Sequence, residues 1–237
     1  MSILLVLPNI CDIVAEYAVA PKFLDWIDVD KLNKSWLCRN PVAIYLLEAN
    51  PNNINWHYLS ANPMAIHLLD TNLDKIGWYR LSINPTKWAV DLLEANPNKI
   101  DWSYLSKNPA AIHLLEANPD KIDWIWLSIN PAAIHLLEAN PDKINWYTLS
   151  ANPAAMHLLE ANPDKIGWDW LSINPAAIHL LEANPDKINR FQLSRNSAAI
   201  HLLEKFVINW RHLSMNPAIF ESDTKRIKSL AEWLSKL

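Results

Sequence analysis

The sequence predicts an all-α solenoid of short helix pairs. Three observations carry that reading. A 22-residue unit recurs through the chain, an Asn-Pro pair sits at one fixed place in nearly every copy, and apolar residues between the prolines are spaced three and four apart. The Asn-Pro that follows Leu-Ser-x sets the register, with prolines at Pro41, Pro63, Pro85, Pro109, Pro131, Pro153, Pro175 and Pro217, and Ser197 in the remaining place. The step from Pro85 to Pro109 is 24 residues, because Thr86-Lys87-Trp88 adds two, and the step from Ser197 to Pro217 is 20, where Lys205-Phe206-Val207 shortens the connection.

The clearest copy runs from Asp123 to Ile144. Asn130 before Pro131 is a helix start, since the Asn side chain caps a free N–H and proline at N1 forfeits no hydrogen bond. Ala132–Ala139 continues as helix until Pro141, which pushes the residue before it out of the α region. Asp142 and Lys143 then make a turn. Asp123 caps a second short helix, Trp124–Ser128, and its place is taken elsewhere by Asn55, Gly77, Asp101, Asn145, Gly167, Asn189 and Asn209. On the wheel, Ala132, Ala133, Ile134, Leu136, Leu137 and Ala139 cover roughly 220°, which calls for neighbours on three sides, as stacked repeats provide. A leucine-rich-repeat alternative, with Leu127–Asn130 as a short strand, fits the 22-residue period. The Trp-x-x-Leu spacing and the proline after each Asn oppose it.

Residues 1–24 are expected to form an N-terminal capping helix, 25–221 a solenoid of about eight or nine units, and 222–237 a C-terminal capping helix. Ile10, Ile13, Val14 and Tyr17 share one face of the first, and Ile227, Leu230, Leu234 and Leu237 one side of the last. Helix layers about 9 Å apart make an open stack roughly 70–80 Å long.

Composition narrows the function classes. With a formal net charge of −4 and charges spread along the chain, no dense basic patch for nucleic acid is apparent. The two cysteines, Cys11 and Cys38, cannot build a disulfide framework. Two glycines leave no glycine-rich phosphate loop, and there is no nucleophile elbow. The apolar run Ile3–Leu7 is too short for a span and lacks the basic flank of a signal peptide, so an intracellular setting is expected.

The unit Leu-Ser-x-Asn-Pro-x-Ala-Ile-x-Leu-Leu-Glu-x-Asn-Pro-Asp-Lys-Ile-x-Trp resembles uncharacterised tandem-repeat proteins of large DNA viruses, the mimivirus relatives, over roughly residues 25–217. The resemblance implies a viral source and a setting in host cytoplasm or virion. It implies no catalytic residues. Leu7-Pro8, Ile10, Ile13 and Tyr17 also look like the start of an F-box.

His67, His113, His135, His157, His179 and His201 recur at one place, each three residues before an acid, Asp70, Glu116, Glu138, Glu160, Glu182 or Glu204. Layers about 9 Å apart cannot bring such pairs round one ion about 2 Å from each ligand, so a solvated stripe with i,i+3 contacts is expected, and no metal. The tryptophans at 56, 78, 102, 124, 146, 168 and 210 read as a core ladder, with Lys34 and Arg190 as exceptions. The paired asparagines read as caps, with hydrogen bonding to backbone from unit to unit as the alternative. Ser-His-acid sets recur only because the unit does, so neither an enzyme nor a cofactor is expected.

Binding is expected where copies differ. Tyr58, Arg80, Tyr104, Trp126 and Trp170 share one place in the second helix, and Arg211 the place before it. Aromatics and arginine at varying positions are the residue types of interface anchors, and packing of this row between adjacent units is the equal alternative. The expected function is a non-catalytic scaffold for a protein partner, a host protein among the candidates. Two alternatives stand beside it. One is an F-box-like adapter docking a ubiquitin-ligase subunit through residues 7–38, and the other is a structural protein that assembles with itself.

Overall fold

The computed structural model describes residues 21–203 and 209–221 of the 237. These residues form an all-α solenoid of nine units with no strand, and the solenoid closes on itself as a ring. Unit 5 illustrates the pattern. A one-turn α-helix, Trp124–Leu127, is followed by a 3-10 turn, Pro131–Ala133, an α-helix, Ile134–Ala139, and a second 3-10 turn, Pro141–Lys143. Leu127–Asn130 is the end of a helix and a turn, so the strand alternative does not hold. The Asp123 carboxylate accepts from Trp126 N, capping the first helix as expected. The predicted single helix over 132–139 is two pieces. The first is wound at three residues per turn, which rotates the α-helical piece behind it. Ala133 and Leu137 are buried, while Ala139, placed on the apolar arc by a uniform wheel, is exposed.

The asparagine before each first proline does more than cap. Asn130 Oδ1 accepts from Ala132 N at 3.0 Å, and its Nδ2 donates to Ser106 O at 3.0 Å and Asn108 O at 3.1 Å in the preceding unit. The same pair of donations recurs from Asn62, Asn84, Asn108, Asn152, Asn174, Asn196 and Asn216, all with essentially no exposure. Capping alone therefore does not account for these residues. The second asparagine of the unit behaves differently: Asn140 caps no helix with its side chain and donates Nδ2 to Leu136 O at 2.9 Å.

A serine ladder runs alongside. Ser106 Oγ donates to Trp102 O at 2.8 Å and accepts from Asp123 N of the next unit at 3.1 Å. Cys38 takes this place in unit 1, its Sγ donating weakly to Lys34 O at 3.5 Å and accepting from Asn55 N at 3.4 Å. Burial pushes the Cys38 thiol up from its ordinary value, as befits a packing residue rather than a reactive one.

Both ladders continue from unit 9 into unit 1. Asn40 Nδ2 donates to Ser214 O at 3.3 Å and Asn216 O at 3.0 Å, and Asn33 N donates to Ser214 Oγ at 2.8 Å. Leu24 N donates to Ile219 O at 2.9 Å, Glu221 N to Lys22 O at 2.7 Å, and the Phe23 and Phe220 rings stack at 4.4 Å. The expected open stack is thus a closed ring, because unit-to-unit rotation accumulates until the first and last units meet. Nine units need about 40° each, 360° divided by nine. Of the expected capping helices, 1–20 and 222–237 lie outside the described residues, as do Leu7, Pro8, Ile10, Ile13 and Tyr17 of the F-box-like pattern. Residues 22–24 pair with 219–221 in the closure.

Two leucines in each of units 2–8, such as Leu127 and Leu137, are essentially fully buried and form one continuous core with Leu37 and Leu47 of unit 1 and Leu213 and Ile219 of unit 9. The tryptophans pack against it half-buried, and the lysine of the following connection lies over the ring: Lys75 over Trp56, Lys143 over Trp124, Lys165 over Trp146 and Lys187 over Trp168, at 4.5, 4.7, 4.3 and 4.5 Å. Lys31 over Trp210, at 5.4 Å, repeats this across the closure. The two-residue insertion stays on the outer side. Lys87–Glu94 becomes one α-helix capped by Thr86, and the Asn108 ladder bonds keep lengths of 3.0 and 2.9 Å.

Replacing Asn152 by Ala removes a cap worth about 1 kcal/mol and strips two buried carbonyls of a partner, for about 2 kcal/mol more. Asn140→Ala loses one local bond and costs about 1 kcal/mol or less. Urea denaturation followed by circular dichroism is expected to rank them in that order by a clear margin.

Candidate functional site

Closure gives the repeat an inside. Three places in the unit distribute the varying side chains. The residue before the first buried leucine, on the short helix, and the residue after the serine, in the turn that ends it, lie three apart and point the same way. Arg80 and Ile83, Tyr104 and Lys107, and Trp126 and Ile129 are such pairs, and all line one cavity of about 290 Å³ with Arg39, Trp170 and Arg195. These residues come from units 1, 3, 4, 5, 7 and 8, so the cavity lies in the middle of the ring.

Four of the six residues singled out from sequence, Arg80, Tyr104, Trp126 and Trp170, meet at this cavity. Tyr58 belongs to the same inner row, under the Arg80 guanidinium at 5.0 Å. Arg211 stands apart, exposed on the neighbouring place in the unit with its guanidinium 4.4 Å from the Trp36 ring. The row does pack from unit to unit. Trp36 lies 6.1 Å from Tyr58 and 5.3 Å from His212, Arg80 also covers Tyr104 at 5.4 Å, and Trp126 meets Trp170 edge-on at 5.9 Å. The last two touch across unit 6 because its inner residue is the small, buried Thr148, whose hydroxyl donates to Ile125 O at 2.6 Å.

Sequence reasoning missed Arg39, Lys107 and Arg195, which follow the serine (or Cys38) of their units. The available signal was their spacing of three from the noted row. Composition concealed them, since the net charge of −4 averages over a chain whose cavity lining holds four cations and no carboxylate. The groups meeting these cations are neutral. Arg39 Nη1 lies 3.2 Å from Met215 Sδ and Arg195 Nη1 donates to Gln192 Oε1 at 3.4 Å. The Lys107 ammonium sits 3.4 Å from the Trp126 ring centre and 4.5 Å from that of Tyr104. Arg80 Nε is buried without a hydrogen-bond partner.

Burial, then the Arg80 and Arg195 charges, pulls the Arg39 guanidinium down to about 10. Burial, then Arg39 and Arg80, brings the Lys107 ammonium down to about 8. Burial also lowers Arg195. Asp101 and Asp123 draw Lys107 the other way more weakly, being engaged as caps of their own helices.

In units 2 and 5–9 the second residue of the short helix is exposed and faces outward beside the cavity, while Ser35, Tyr79 and Ser103 are half-buried. Ile125, Tyr147 and Phe191 are there, at 53%, 49% and 61% exposure. This row also explains both glycines. A side chain at Gly77 would bring a Cβ to 2.5 Å from His57 Nδ1, and one at Gly167 to 2.7 Å from Tyr147 Cδ2 and 3.1 Å from its Cα. Ring side chains of the preceding unit lie directly on these backbones.

The histidine stripe lies on another face. Each ring pairs with the acid of the preceding unit rather than with the acid three residues on. His135 Nε2 is 2.8 Å from Glu116 Oε1, and His67, His113, His157, His179 and His201 repeat this with Glu48, Glu94, Glu138, Glu160 and Glu182. The i,i+3 expectation fails because neighbouring units bring these side chains together more directly than the helix does. In unit 3 Asp91 takes the histidine place, and Trp88, within the helix Lys87–Glu94, donates Nε1 to Asp70 at 3.1 Å. Among the described residues no group of three or more His, Cys, Asp or Glu is placed to hold a metal ion, and no helix is long and apolar enough to cross a membrane.

Fold and site together define a closed-ring α-solenoid whose inner wall is aromatic and cationic. No family model matches the chain, and neither a curated protein nor a solved structure matches it.

Lys107 titrates lower folded than unfolded, so between pH ~8 and ~10.5 the unfolded chain holds a proton that the folded chain has released. Its contribution to stability therefore rises with pH across that window. Denaturant midpoints measured at several pH values are expected to show this positive slope in the wild type and a smaller one in Lys107→Met.

Proposed function

We propose that this chain is a non-catalytic ring scaffold that binds a protein partner across the face carrying Tyr79, Ile125, Tyr147, Phe191 and Arg211. The observation that carries the reading is the division of labour within the unit. The unvarying asparagine, serine and leucines are consumed in packing and in the two ladders, whereas the varying second residues of units 2 and 5–9 stand outward. Three of them are large and apolar at about half exposure, on one face, with an arginine beside them. Exposed apolar clusters with aromatic and arginine anchors are the composition of protein-binding surfaces.

The likeness of the unit to tandem-repeat proteins of large DNA viruses supports a viral origin, with host cytoplasm or virion as the setting and a host protein among the candidate partners. The two alternatives draw less support. Of residues 7–38, those from 22 onward are engaged in the ring: Leu32 and Leu37 are buried, and Asn33 bonds unit 9. Among the described residues both ends of the solenoid are spent on each other, which leaves no open end for head-to-tail growth.

Light scattering after size exclusion is expected to give the mass of one chain at every concentration. A mass that grows with concentration favours the self-assembling reading instead. With a partner recovered by affinity capture, Tyr147→Glu combined with Phe191→Glu is expected to weaken binding by about tenfold or more, as loss of two anchors does. Affinity unchanged by that pair of substitutions rejects this face.

A further inference from the structure

We infer that the cavity at the centre of the ring is a binding site for a small anion of the polyphosphate class, gripped by Arg39, Arg80, Lys107 and Arg195. This goes beyond the docking face and does not depend on it, because the cavity wall and the outward row use different residues.

The argument starts from charge. Units 1, 3, 4 and 8 each send a cation into one cavity of about 290 Å³ whose lining contains no acid. None of the four forms an ion pair among the described residues. Elsewhere the chain pairs its charges freely, as in Lys87–Asp91 and Lys31–Asp28. Half-buried like charges gathered without counter-ions destabilise a fold, and a ring of otherwise repeated units has no packing need for them. The equivalent place after the serine is Ala61, Ile83, Ile129, Ala151, Ile173 or Met215 in the other units. Small or apolar side chains therefore satisfy the architecture at the place of Arg39, Lys107 and Arg195, and these three cations answer to something else.

Geometry indicates what that is. Each guanidinium carries five N–H donors in a planar fork suited to phosphate oxygens. Here they meet a thioether, an amide oxygen and aromatic faces, and Arg80 Nε is buried with no partner at all. The apolar walls, including Trp126 and Trp170, lower the local dielectric and strengthen any charge-assisted bond made inside. At ~30 Å³ per water the cavity has the room of about ten waters. That excludes a nucleic-acid duplex or a folded domain and suits a chain of two or three phosphate groups. A single carboxylate would answer one of four charges, whereas a polyphosphate answers them together.

The test is calorimetry of the full chain with sodium tripolyphosphate at low salt. One saturable site per chain is expected, weakening by about tenfold or more between about 50 and 200 mM salt. Arg80→Gln and Lys107→Met should each weaken it by about tenfold. Lys107→Met keeps the stem against Trp126 and removes repulsion, so it remains folded and its loss reads the site itself. Arg211→Gln and Phe191→Ser should leave tripolyphosphate affinity within about twofold, which separates this site from the docking face. Absence of saturable heat overturns the inference, as does an affinity that neither Arg80→Gln nor Lys107→Met alters. A hexaglutamate peptide that binds where tripolyphosphate does not overturns it too, and makes the cavity a receptor for an acidic protein segment.

Discussion

One carboxamide per unit holds this molecule together. The ladder asparagine accepts a backbone N–H within its own unit and donates twice to carbonyls of the unit before, in a setting without water to substitute for any of the three bonds. An aspartate has no donors for the carbonyls, and a glutamine is a methylene too long for its own cap. The proline next to it fits the same requirement, since it has no N–H to compete for the amide oxygen and its φ suits the first helical position. Leucine burial supplies bulk stabilisation between units. The amide fixes how each unit is set on the last, and because that setting is repeated nine times, the ring is its result.

Closure changes the meaning of the varying positions. In an open stack, neighbouring residues of a one-turn helix look out on much the same solvent. In the ring, the second residue of the helix remains at the surface while the third is turned to a shared interior. Varied residues are thereby sorted into two populations, one outward and including Ile125, Tyr147 and Phe191, the other inward and holding Trp, Tyr and all four cavity cations. The sixth and seventh units show how individual copies adjust. Thr148 yields its space to Trp126 and Trp170, and Gly167 yields its own to Tyr147.

The solenoid and its helix boundaries were legible because their signals are local. Proline, a capping Asn or Asp, and leucines three and four apart each act within one unit. The 3-10 turn at Pro131–Ala133 was not, since any uniform wheel treats it as α and so misplaces Ala139. Closure was hidden for a different reason: it is the sum of small rotations that no single unit records. With it were hidden the pairing of His135 with Glu116, the role of Asn40 at the junction and the convergence of Arg39 with Arg80, Lys107 and Arg195. The inner row itself, from Tyr58 to Trp170, was visible as a row, but what it faced was not.

Tandem repeats usually gain and lose copies with little penalty, because an open array is merely longer or shorter. A closed one is not free in this way. Removing a unit raises the mean rotation from about 40° to about 45°, and adding one lowers it to about 36°, so every interface must change at once. Phe23 and Phe220 would no longer stack, and the amide ladder would be left with two ends. Copy number in this chain is therefore set by arithmetic around a circle. A duplicated or deleted 22-residue stretch is a change to the whole molecule, whereas the two-residue insertion at Thr86–Trp88 is only a change to its outer edge.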